Sequence, residues 1–344
     1  MRALYPDSEG FVERDGVRVF YEVYGDGEPT VLLLPGWTLP ARSFKAQVPY
    51  LARHYRVVAV DPRGTGKSDK PKGSGAYALG EYVADTLAVM DATDSGQAVV
   101  MGKSRHAQTA LLLAGDHPDR VAALIVAGAF IPLTPWPPLD ALWKTADEPR
   151  RWRRRLTTLG SSRKSVSELR RSSTLRRAAR RIGPLEPARM FARQQMVDDY
   201  EGFARWFVDR IVVTDPHATK LAEDAIEWML EGTGDVAADS WLADCLRDPA
   251  SARVAAKRVQ CPVLVVHGDR DLTTPVDWGR ALAEITGGEL FEVAGAGHLP
   301  GGRYPVVVNL ALRRFIDSLP SDGPDSHPRA ERRQVAVLPT EGDR

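Results

Sequence analysis

Three side chains of this 344-residue chain, Ser104, Asp271 and His298, have the types and positions to do chemistry together. Each follows a short apolar run that is typical of a buried strand. A serine hydroxyl attacks a carbonyl carbon when an imidazole takes its proton and a carboxylate orients that imidazole. Because the three residues are far apart in the chain, this chemistry requires a fold that brings the strand ends together.

Ser104 lies where a strand would turn directly into a helix. The apolar run 98–101 is followed by Gly102-Lys103-Ser104 and then by a helical pattern. Such a turn holds a serine on a sharp bend, exposes its hydroxyl, and places the next backbone N–H at a helix N-terminus. Taken alone, the same pattern also fits a serine that only caps the helix.

Asp271 and His298 occupy the same kind of position. Asp271 closes Gly268-Asp269-Arg270-Asp271 after the apolar run 263–266, and His298 follows the run 289–293. Singly, they fit a turn residue and a residue that leads into a helix. The carboxyl ends of parallel strands meet at one edge of a sheet, where ligands bind. Their joint occurrence in the order Ser, Asp, His therefore favours a catalytic triad.

The elements that must position these residues alternate between strands and helices. The predicted strands are 11–14, 17–24, 30–34, 55–60, 98–101, 122–127, 263–266 and 289–293, and the predicted helices are 43–53, 81–90, 104–116, 278–285 and 305–319. Asp15-Gly16 predicts a tight hairpin between the first two strands. Continuous apolar strands separated by helices indicate a mostly parallel sheet with both faces covered.

The alternation stops between residues 131 and 256, where helical patterns at 139–145, 188–195, 201–213 and 220–230 are the only ones that we identify. We therefore predict an α/β core made of residues 10–130 and 257–319, with a helical insertion at 131–256. The segment 320–344 is rich in Pro, Asp, Arg and Ser, so we expect a disordered tail.

At this point the chain resembles the α/β-hydrolase family. Beyond the triad, Leu33-Leu34-Pro35-Gly36-Trp37 is similar to the family's His-Gly-x oxyanion loop, with Pro35 in place of His, and Asp61-Pro62-Arg63-Gly64-Thr65-Gly66-Lys67-Ser68 is similar to its Asp-x-Arg-Gly-x-Gly-x-Ser loop. The resemblance implies an α/β-hydrolase fold, with a mostly parallel central sheet flanked by helices and a helical cap insertion. It also implies that the backbone N–H groups of Trp37 and Arg105 form the oxyanion hole.

The second loop contains Gly64-Thr65-Gly66-Lys67-Ser68, which suggests a phosphate-binding loop at first sight. That motif needs a glycine five residues before Gly66, and the chain has Asp61 there. The residues that follow, 70–75, are typical of a loop rather than of a helix. We therefore do not expect nucleotide binding.

The turn at Ser104 departs from the usual Gly-x-Ser-x-Gly, because His106 occupies the place of the last glycine. That glycine is small because the helix packs closely on a neighbouring strand. Two readings stay open for Arg105 and His106. Either one binds an anionic group of the substrate, or both turn away and only pack.

The insertion has its own composition. It holds six of the eight tryptophans, and Trp136 and Trp143 are candidates for lining a bulky apolar pocket, unless these rings build the core of the insertion itself. Between Glu148 and Arg181, thirteen Lys and Arg face two Glu, a net charge of +11. This stretch is either a solvated face or a docking surface for an acidic carrier protein or an anionic ligand. We do not expect nucleic acid as a partner.

Composition excludes several other classes. Apolar residues make up 43% and charged residues 26%, as in an ordinary globular chain. Cys245 and Cys261 are too few for a disulfide scaffold, no His/Cys/Asp cluster has ligand spacing, and no apolar run spans a bilayer. We therefore expect a cytoplasmic protein without metal or cofactor, without membrane contact, and with a small-molecule substrate.

These observations predict a serine hydrolase that cleaves a carboxylic ester, a lactone or a thioester of a fairly bulky apolar substrate through an acyl-enzyme on Ser104. Two alternatives stay open. The altered turn could serve a lyase or a cyclase, in which His298 and Asp271 would act together as the general base. The chain could also be an inactive scaffold that binds a ligand or protein.

Overall fold

The computed structural model describes residues 4–134 and 190–320, so part of the predicted insertion and the tail from 321 lie outside these ranges. The strands are β1 (Ser8–Arg14), β2 (Val17–Tyr24), β3 (Val31–Leu34), β4 (Val57–Asp61), β5 (Ala98–Lys103), β6 (Val121–Ala127), β7 (Val263–Gly268) and β8 (Glu289–Val293). They form one sheet in the order β1-β2-β4-β3-β5-β6-β7-β8. The pairs β1–β2 and β2–β4 are antiparallel and the other five are parallel. The expected mostly parallel sheet is confirmed.

The hairpin between β1 and β2 forms as predicted. Asp15 and Gly16 both have positive φ, 52° and 76°, which a two-residue hairpin turn with the right twist requires. Strand β1 begins at Ser8, three residues before the predicted start, because its pairing with β2 continues to Val23.

The helices of the described ranges are α1 (Val48–Leu51), α2 (Leu79–Ala92), α3 (His106–Asp116), α4 (Arg193–Asp198), α5 (Tyr200–Phe207), α6 (Thr219–Met229), α7 (Gly234–Leu242), α8 (Pro249–Lys257), α9 (Val276–Thr286), α10 (Pro300–Arg303) and α11 (Pro305–Asp317). Helices α2, α3, α8 and α9 share a buried cluster with one face of the sheet, and α1 and α11 share another with the opposite face. Successive residues of β3 alternate between these clusters, which explains its unbroken apolar sequence.

The segment predicted as one helix at 43–53 is not continuous, so this prediction is wrong. Ala41–Phe44 forms a 3-10 turn, and α1 is a single turn that begins at Val48. Pro49 explains the break, because proline lacks the N–H that an interior helical position must donate and fits only the first turn.

The described elements between β6 and β7 are helices. Helices α5 and α6 match the patterns at 201–213 and 220–230, with a π turn extending α5 to Val212. The predicted helix at 188–195 is observed as α4, shifted toward the C-terminus, and the one at 139–145 lies outside the described residues. We call residues 190–245 the helical segment.

Helix α8 belongs to a different layer from the helical segment. Its buried residues Ala252, Ala255 and Ala256 join the core cluster under the sheet together with α3 and α9. The predicted insertion, drawn at 131–256, thus includes a helix that packs as part of the α/β core.

The loop 64–68 encloses a carboxylate of the protein. Asp61 Oδ1 accepts from the N–H of Ala41 at 2.6 Å, and its Oδ2 accepts from the N–H of Lys67 at 2.9 Å. A Cβ on Gly66 would lie 2.0 Å from Asp61 Oδ2, so only glycine lets the loop close around the side chain. The Lys67 N–H is therefore used to hold Asp61, while the N–H groups of Gly64, Thr65 and Ser68 donate to backbone carbonyl oxygens.

No helix among the described residues is both long and apolar enough to span a bilayer.

Candidate active site

Ser104 lies on a sharp turn between β5 and α3. Its φ is +50°, a left-handed value that a side chain other than glycine rarely adopts and that is a feature of strained functional turns. Two backbone hydrogen bonds hold the turn, from Ser104 N–H to Ala127 O at 2.9 Å and from Phe130 N–H to Ser104 O at 3.0 Å. A Cβ on Gly102 would lie 2.4 Å from the carbonyl oxygen of His106, so glycine is needed where strand and helix approach each other.

The structure brings the three predicted residues together in a continuous hydrogen-bonded chain. Ser104 Oγ lies 2.9 Å from His298 Nε2, and His298 Nδ1 lies 2.8 Å from Asp271 Oδ2. His298 is 5% exposed and Asp271 1% exposed, so the second contact is shielded from water. With Nδ1 donating to the carboxylate, Nε2 is left to accept the serine proton.

Further donors surround the carboxylate of Asp271. Oδ1 accepts from the backbone N–H groups of Thr273 and Thr274 at 2.7 and 2.9 Å, and Oδ2 accepts from the Thr274 hydroxyl at 2.8 Å. Burial alone would raise the pKa of Asp271, but the attraction of His298 and the hydrogen bonds from two imidazoles outweigh it and hold that pKa well below its usual range. Asp271 is therefore ionised throughout the neutral pH range.

The second imidazole belongs to His267, which the sequence analysis missed. Its side chain is fully buried at the end of β7, and its Nε2 lies 3.3 Å from Asp271 Oδ2 and 3.1 Å from Thr274 O. A signal was present in the sequence, because His267 closes the same apolar run that leads to Asp271. His267 and His298 thus both approach the same oxygen of the carboxylate, Asp271 Oδ2.

Two loops also confine His298 itself. Gly128 has φ +55°, and a Cβ there would lie 2.8 Å from His298 O and 3.3 Å from the imidazole ring, so glycine leaves the room that the ring occupies. The N–H of Gly297 donates to Asp215 Oδ1 at 2.8 Å, which ties the loop before His298 to the helical segment.

The predicted oxyanion loop reaches the nucleophile. A Cβ on Gly36 would lie 3.6 Å from the Cβ of Ser104, which places the Gly36-Trp37 backbone beside the serine. Arg105 precedes the first turn of α3 as its N-cap residue. Within the described ranges, neither the N–H of Trp37 nor that of Arg105 has a hydrogen-bond acceptor. Both are thus available to an oxyanion.

The side chains of Arg105 and His106 pack away from the cleft that holds Ser104. Arg105 is 5% exposed and donates through Nη2 to Ser240 O of α7 at 2.6 Å, while its Nη1 is buried without a partner among the described residues. His106 is 3% exposed, its ring meets the Tyr82 ring edge-to-face at 4.6 Å, and its Nδ1 lies 3.2 Å from Thr109 Oγ1. Burial and the charge of Arg105 lower the pKa of His106 to about 3.

His106 thus fits as a neutral packing residue in the gap between α2 and α3, which is the second of the two interpretations given for this position. Arg105 ties the nucleophile turn to the helical segment. Neither side chain is among the described residues that line the cleft at Ser104.

A cleft opens at Ser104 and His298. Its walls are mostly apolar, and its described lining residues are Leu39, Ser43, Gln47, Met101, Lys103, Ser104, Ala127, Leu221, Trp228, His298, Leu299, Pro300, Gly301, Gly302 and Val308. Trp228 and Leu221 come from α6, so the helical segment closes one side of it. Lys103 is the cationic residue of this lining, a position that the sequence analysis did not single out.

An aromatic cluster stands beside the cleft. Trp37 packs against Phe191, Phe207 and Trp241, with ring centroids 6.3, 5.5 and 5.4 Å away, and its indole N–H donates to Ser240 Oγ at 2.8 Å. Trp241 of the helical segment therefore packs with Trp37 in a local core rather than lining an open pocket. Trp136, Trp143 and the basic stretch 148–181 lie outside the described residues.

Among residues 4–134 and 190–320, no three His, Cys, Asp or Glu side chains converge in a way that would hold a metal ion.

Comparisons with known proteins identify the family to which this fold is similar. A family model described as alpha/beta hydrolase fold matches residues 29–301. Epoxide hydrolase B of Mycobacterium tuberculosis is 41% identical over 98 residues, which is 28% of this chain and 28% of that protein. Epoxide hydrolase A of the same organism is 27% identical over 326 residues, 91% of this chain and 98% of that protein.

The chain thus matches little more than a quarter of the length of the first of these relatives. Among solved structures, a hydrolase from Pseudomonas aeruginosa superposes with a TM-score of 0.67 at 21% identity, covering 91% of this chain and 99% of that one. At this identity the similarity establishes the fold.

Proposed function

The chain belongs to the α/β-hydrolase family, and on that premise we propose that it is a serine hydrolase that cleaves a carboxylic ester, a lactone or a thioester through an acyl-enzyme on Ser104. The observation that carries the proposal is the unbroken chain of hydrogen bonds from Ser104 Oγ through His298 to Asp271, with lengths of 2.9 and 2.8 Å.

The proposed reaction has two halves. In the first, Ser104 Oγ attacks the carbonyl carbon while His298 Nε2 takes the hydroxyl proton and then gives it to the departing alcohol or thiol. In the second, His298 activates a water molecule that attacks the acyl carbonyl, and the acid leaves as Ser104 recovers its proton. Ionised Asp271 keeps Nδ1 protonated and stabilises the imidazolium that forms in each half.

The oxyanion of each tetrahedral intermediate is stabilised by the N–H groups of Trp37 and Arg105. Each such donor contributes about 3 kcal/mol of transition-state stabilisation in comparable sites. The Arg105 donor lies at the start of α3, where the helix dipole adds to its effect. Since both donors are backbone groups, substitution of either side chain does not remove them.

Serine as the nucleophile favours acyl substrates over epoxides, although two relatives are named epoxide hydrolases. A serine oxygen that opened an epoxide would form an ether. An ether has no carbonyl that water can attack, so the enzyme would remain blocked after one event. An acyl group on serine is an ester, which the same imidazole can hydrolyse. The apolar cleft lining, such as Leu39, Met101 and Val308, suits a fairly bulky apolar acyl or alcohol group.

The test combines isotope labelling with a nucleophile variant. Wild type and Ser104→Ala are incubated with simple alkyl esters and lactones in heavy-oxygen water, and the products are analysed by mass spectrometry. We expect the wild type to release acid with one solvent oxygen and the variant to release almost none. Product without solvent oxygen would instead indicate a lyase or a cyclase, and wild-type rates in Ser104→Ala would indicate direct base catalysis by His298.

A second measurement separates an acyl-enzyme from direct attack by water. Three esters with one acyl group and three different alcohols are hydrolysed in the presence of methanol. A common acyl-enzyme predicts the same ratio of methyl ester to acid from all three, because the intermediate no longer contains the alcohol. Ratios that differ with the alcohol would exclude this intermediate. If no ester is turned over and a fluorophosphonate does not label Ser104, the chain is an inactive binding scaffold.

A further inference from the structure

Lys103 places a cation in the cleft directly beside the nucleophile. It is the last residue of β5, and its side chain lines the same cleft as Ser104 and His298. An ammonium group has three N–H donors. In the described structure Nζ donates to Ser43 O at 3.2 Å and lies 3.9 Å from the centre of the Phe44 ring. This leaves donor capacity that the protein itself does not use.

No carboxylate of the described residues neutralises Lys103. The salt bridges of the described ranges do not include it, and the described lining of the cleft contains neither Asp nor Glu. Enclosing a cation without a counter-ion is unfavourable, and burial accordingly lowers the pKa of Lys103 to about 7. A bound anion would remove this penalty and restore the charged form.

A second unused polar group lies at the same end of the cleft. The hydroxyl of Ser43 lines the cleft and is buried without a hydrogen-bond partner among the described residues. A buried hydroxyl without a partner is uncommon in folded proteins, and a polar group bound in the cleft could satisfy it. The ammonium contacts the carbonyl oxygen of this same serine, so hydroxyl and ammonium together offer donors for the two oxygens of a carboxylate.

We propose that Lys103 and Ser43 form a carboxylate-binding subsite, and that the substrate is consequently an ester or a lactone that carries a second, ionised carboxyl group. This inference rests on the proposed function, since it adds a specificity element to the cleft in which Ser104 acts. The scissile carbonyl lies at Ser104, and the remote carboxylate binds the Lys103 ammonium, with the intervening carbons along the apolar wall.

The test uses pairs of esters that differ only in charge. Monoethyl glutarate is compared with its neutral counterpart, in which the free carboxyl group is replaced by a carboxamide of the same shape, and the pair is repeated with succinate and adipate. We expect the wild type to hydrolyse the charged ester of the best-fitting length with at least ~10-fold higher kcat/KM than its amide, mostly through a lower KM. We also expect glutarate, but not glutaramide, to inhibit competitively.

Substitution of the lysine should remove this preference. In Lys103→Met the ratio of kcat/KM between charged and neutral ester should fall to about 1, and Ser43→Ala should lower it less. Lys72→Met, which changes an exposed lysine away from the cleft, should keep the wild-type ratio.

The result of the wild type alone is decisive if a variant does not fold. If the wild type hydrolyses the neutral ester but the ratio of kcat/KM between charged and neutral ester is near 1, the subsite is overturned and the proposed function stands. The same conclusion follows if Lys103→Met leaves the wild-type ratio unchanged. Absence of Ser104-dependent turnover of both esters would overturn the proposed function itself.

Discussion

The two ends of the candidate active site differ in how many of their polar atoms are hydrogen-bonded within the protein. At the acid end, the carboxylate of Asp271 has five donors around it, from His298, His267, Thr273 and two groups of Thr274. At the nucleophile end, which we define as residues 103–105 with the Trp37 backbone, the donors without an acceptor among the described residues are the N–H groups of Trp37 and Arg105 and part of the Lys103 ammonium.

This difference shows which part of the site is complete in the protein and which part a ligand completes. The acid end holds a fixed negative charge and a fixed imidazole orientation before any substrate arrives. The nucleophile end offers two backbone N–H groups where a reacting acyl group would develop negative charge, and an ammonium group in the cleft beside them. The account therefore predicts that changes at the acid end disturb an existing network, whereas changes at the nucleophile end are felt most when a substrate is bound.

The largest expected effect comes from removing the nucleophile. Ser104→Ala should lower kcat for ester hydrolysis by about 10⁵-fold, because the oxyanion donors and the cleft cannot replace the attacking oxygen. Steady-state kinetics with a neutral alkyl ester measure the loss. Thermal unfolding is the control, and a transition within a few degrees of the wild type would show that the variant retains its fold. A residual rate within tenfold of the wild type would contradict this role of Ser104.

At the acid end, Asp271→Asn should lower kcat by about 10⁴-fold. The amide would donate where the carboxylate accepts, so His298 would be held in the tautomer that cannot take the serine proton. Asp215→Asn is the matched control, because Asp215 accepts from the neighbouring Gly297 N–H without touching the imidazole, and an amide oxygen can do the same. We expect that control to stay within about tenfold of the wild type. Equal losses in the two variants would mean that Asp271 has only a structural role.

At the nucleophile end, Lys103→Met should stabilise the ligand-free protein at low pH. The folded-state pKa of Lys103 is about 7, below the unfolded value of 10.5, so its unfavourable contribution is fully present below pH 7 and disappears as the pH rises toward 10.5. Among the described residues that line the cleft, His298 is the other one with a titratable side chain. We expect a gain of roughly 2 kcal/mol in the free energy of unfolding at pH 6.

Urea unfolding at pH 6 and pH 10 measures this gain, with Lys72→Met as the exposed control. The advantage of Lys103→Met should shrink at pH 10, since the lysine is then neutral in the folded state and has also begun to lose its proton in the unfolded state. An advantage independent of pH would show that charge burial is not its cause.

The smallest effect on activity is expected from His106, which packs behind the nucleophile turn. His106→Ala should destabilise the fold by about 1–2 kcal/mol through loss of its packing against Tyr82, while kcat/KM stays within about threefold of the wild type. Chemical unfolding and ester kinetics on the same preparation separate the two effects. A loss of more than about a hundredfold in kcat/KM with little change in stability would place His106 in the chemistry.

The positions of the triad residues could be predicted because each follows a strand whose apolar sequence identifies it. Strands β5 and β7 are buried runs, β8 is partly buried, and parallel strands must end at one edge of the sheet. The sequence could not show that His267 also faces Asp271, since a histidine at a strand end has no preferred partner in the local pattern. That contact depends on the turn made by residues 268–274.

The failures of prediction have equally specific causes. The helix expected at 43–53 is interrupted at Pro49. Proline has no N–H to donate within a helix, and this prevents the continuous helix that the spacing of apolar residues predicts. Helix α7 was missed because its sequence, Gly234 to Leu242, has small residues on most faces and little apolar period. The exchange of glycine for His106 is absorbed by a space beside Tyr82, which only the packing of α2 against α3 reveals.

The most direct test of the account is covalent labelling of the nucleophile. Wild type is treated with a fluorophosphonate, and intact-mass and peptide analysis identify the modified residue. The account predicts one adduct per chain, on Ser104, with loss of ester hydrolysis in proportion to labelling and much slower labelling in His298→Ala. Hydrolysis that continues in fully labelled protein, or an adduct on any residue other than Ser104, would contradict it.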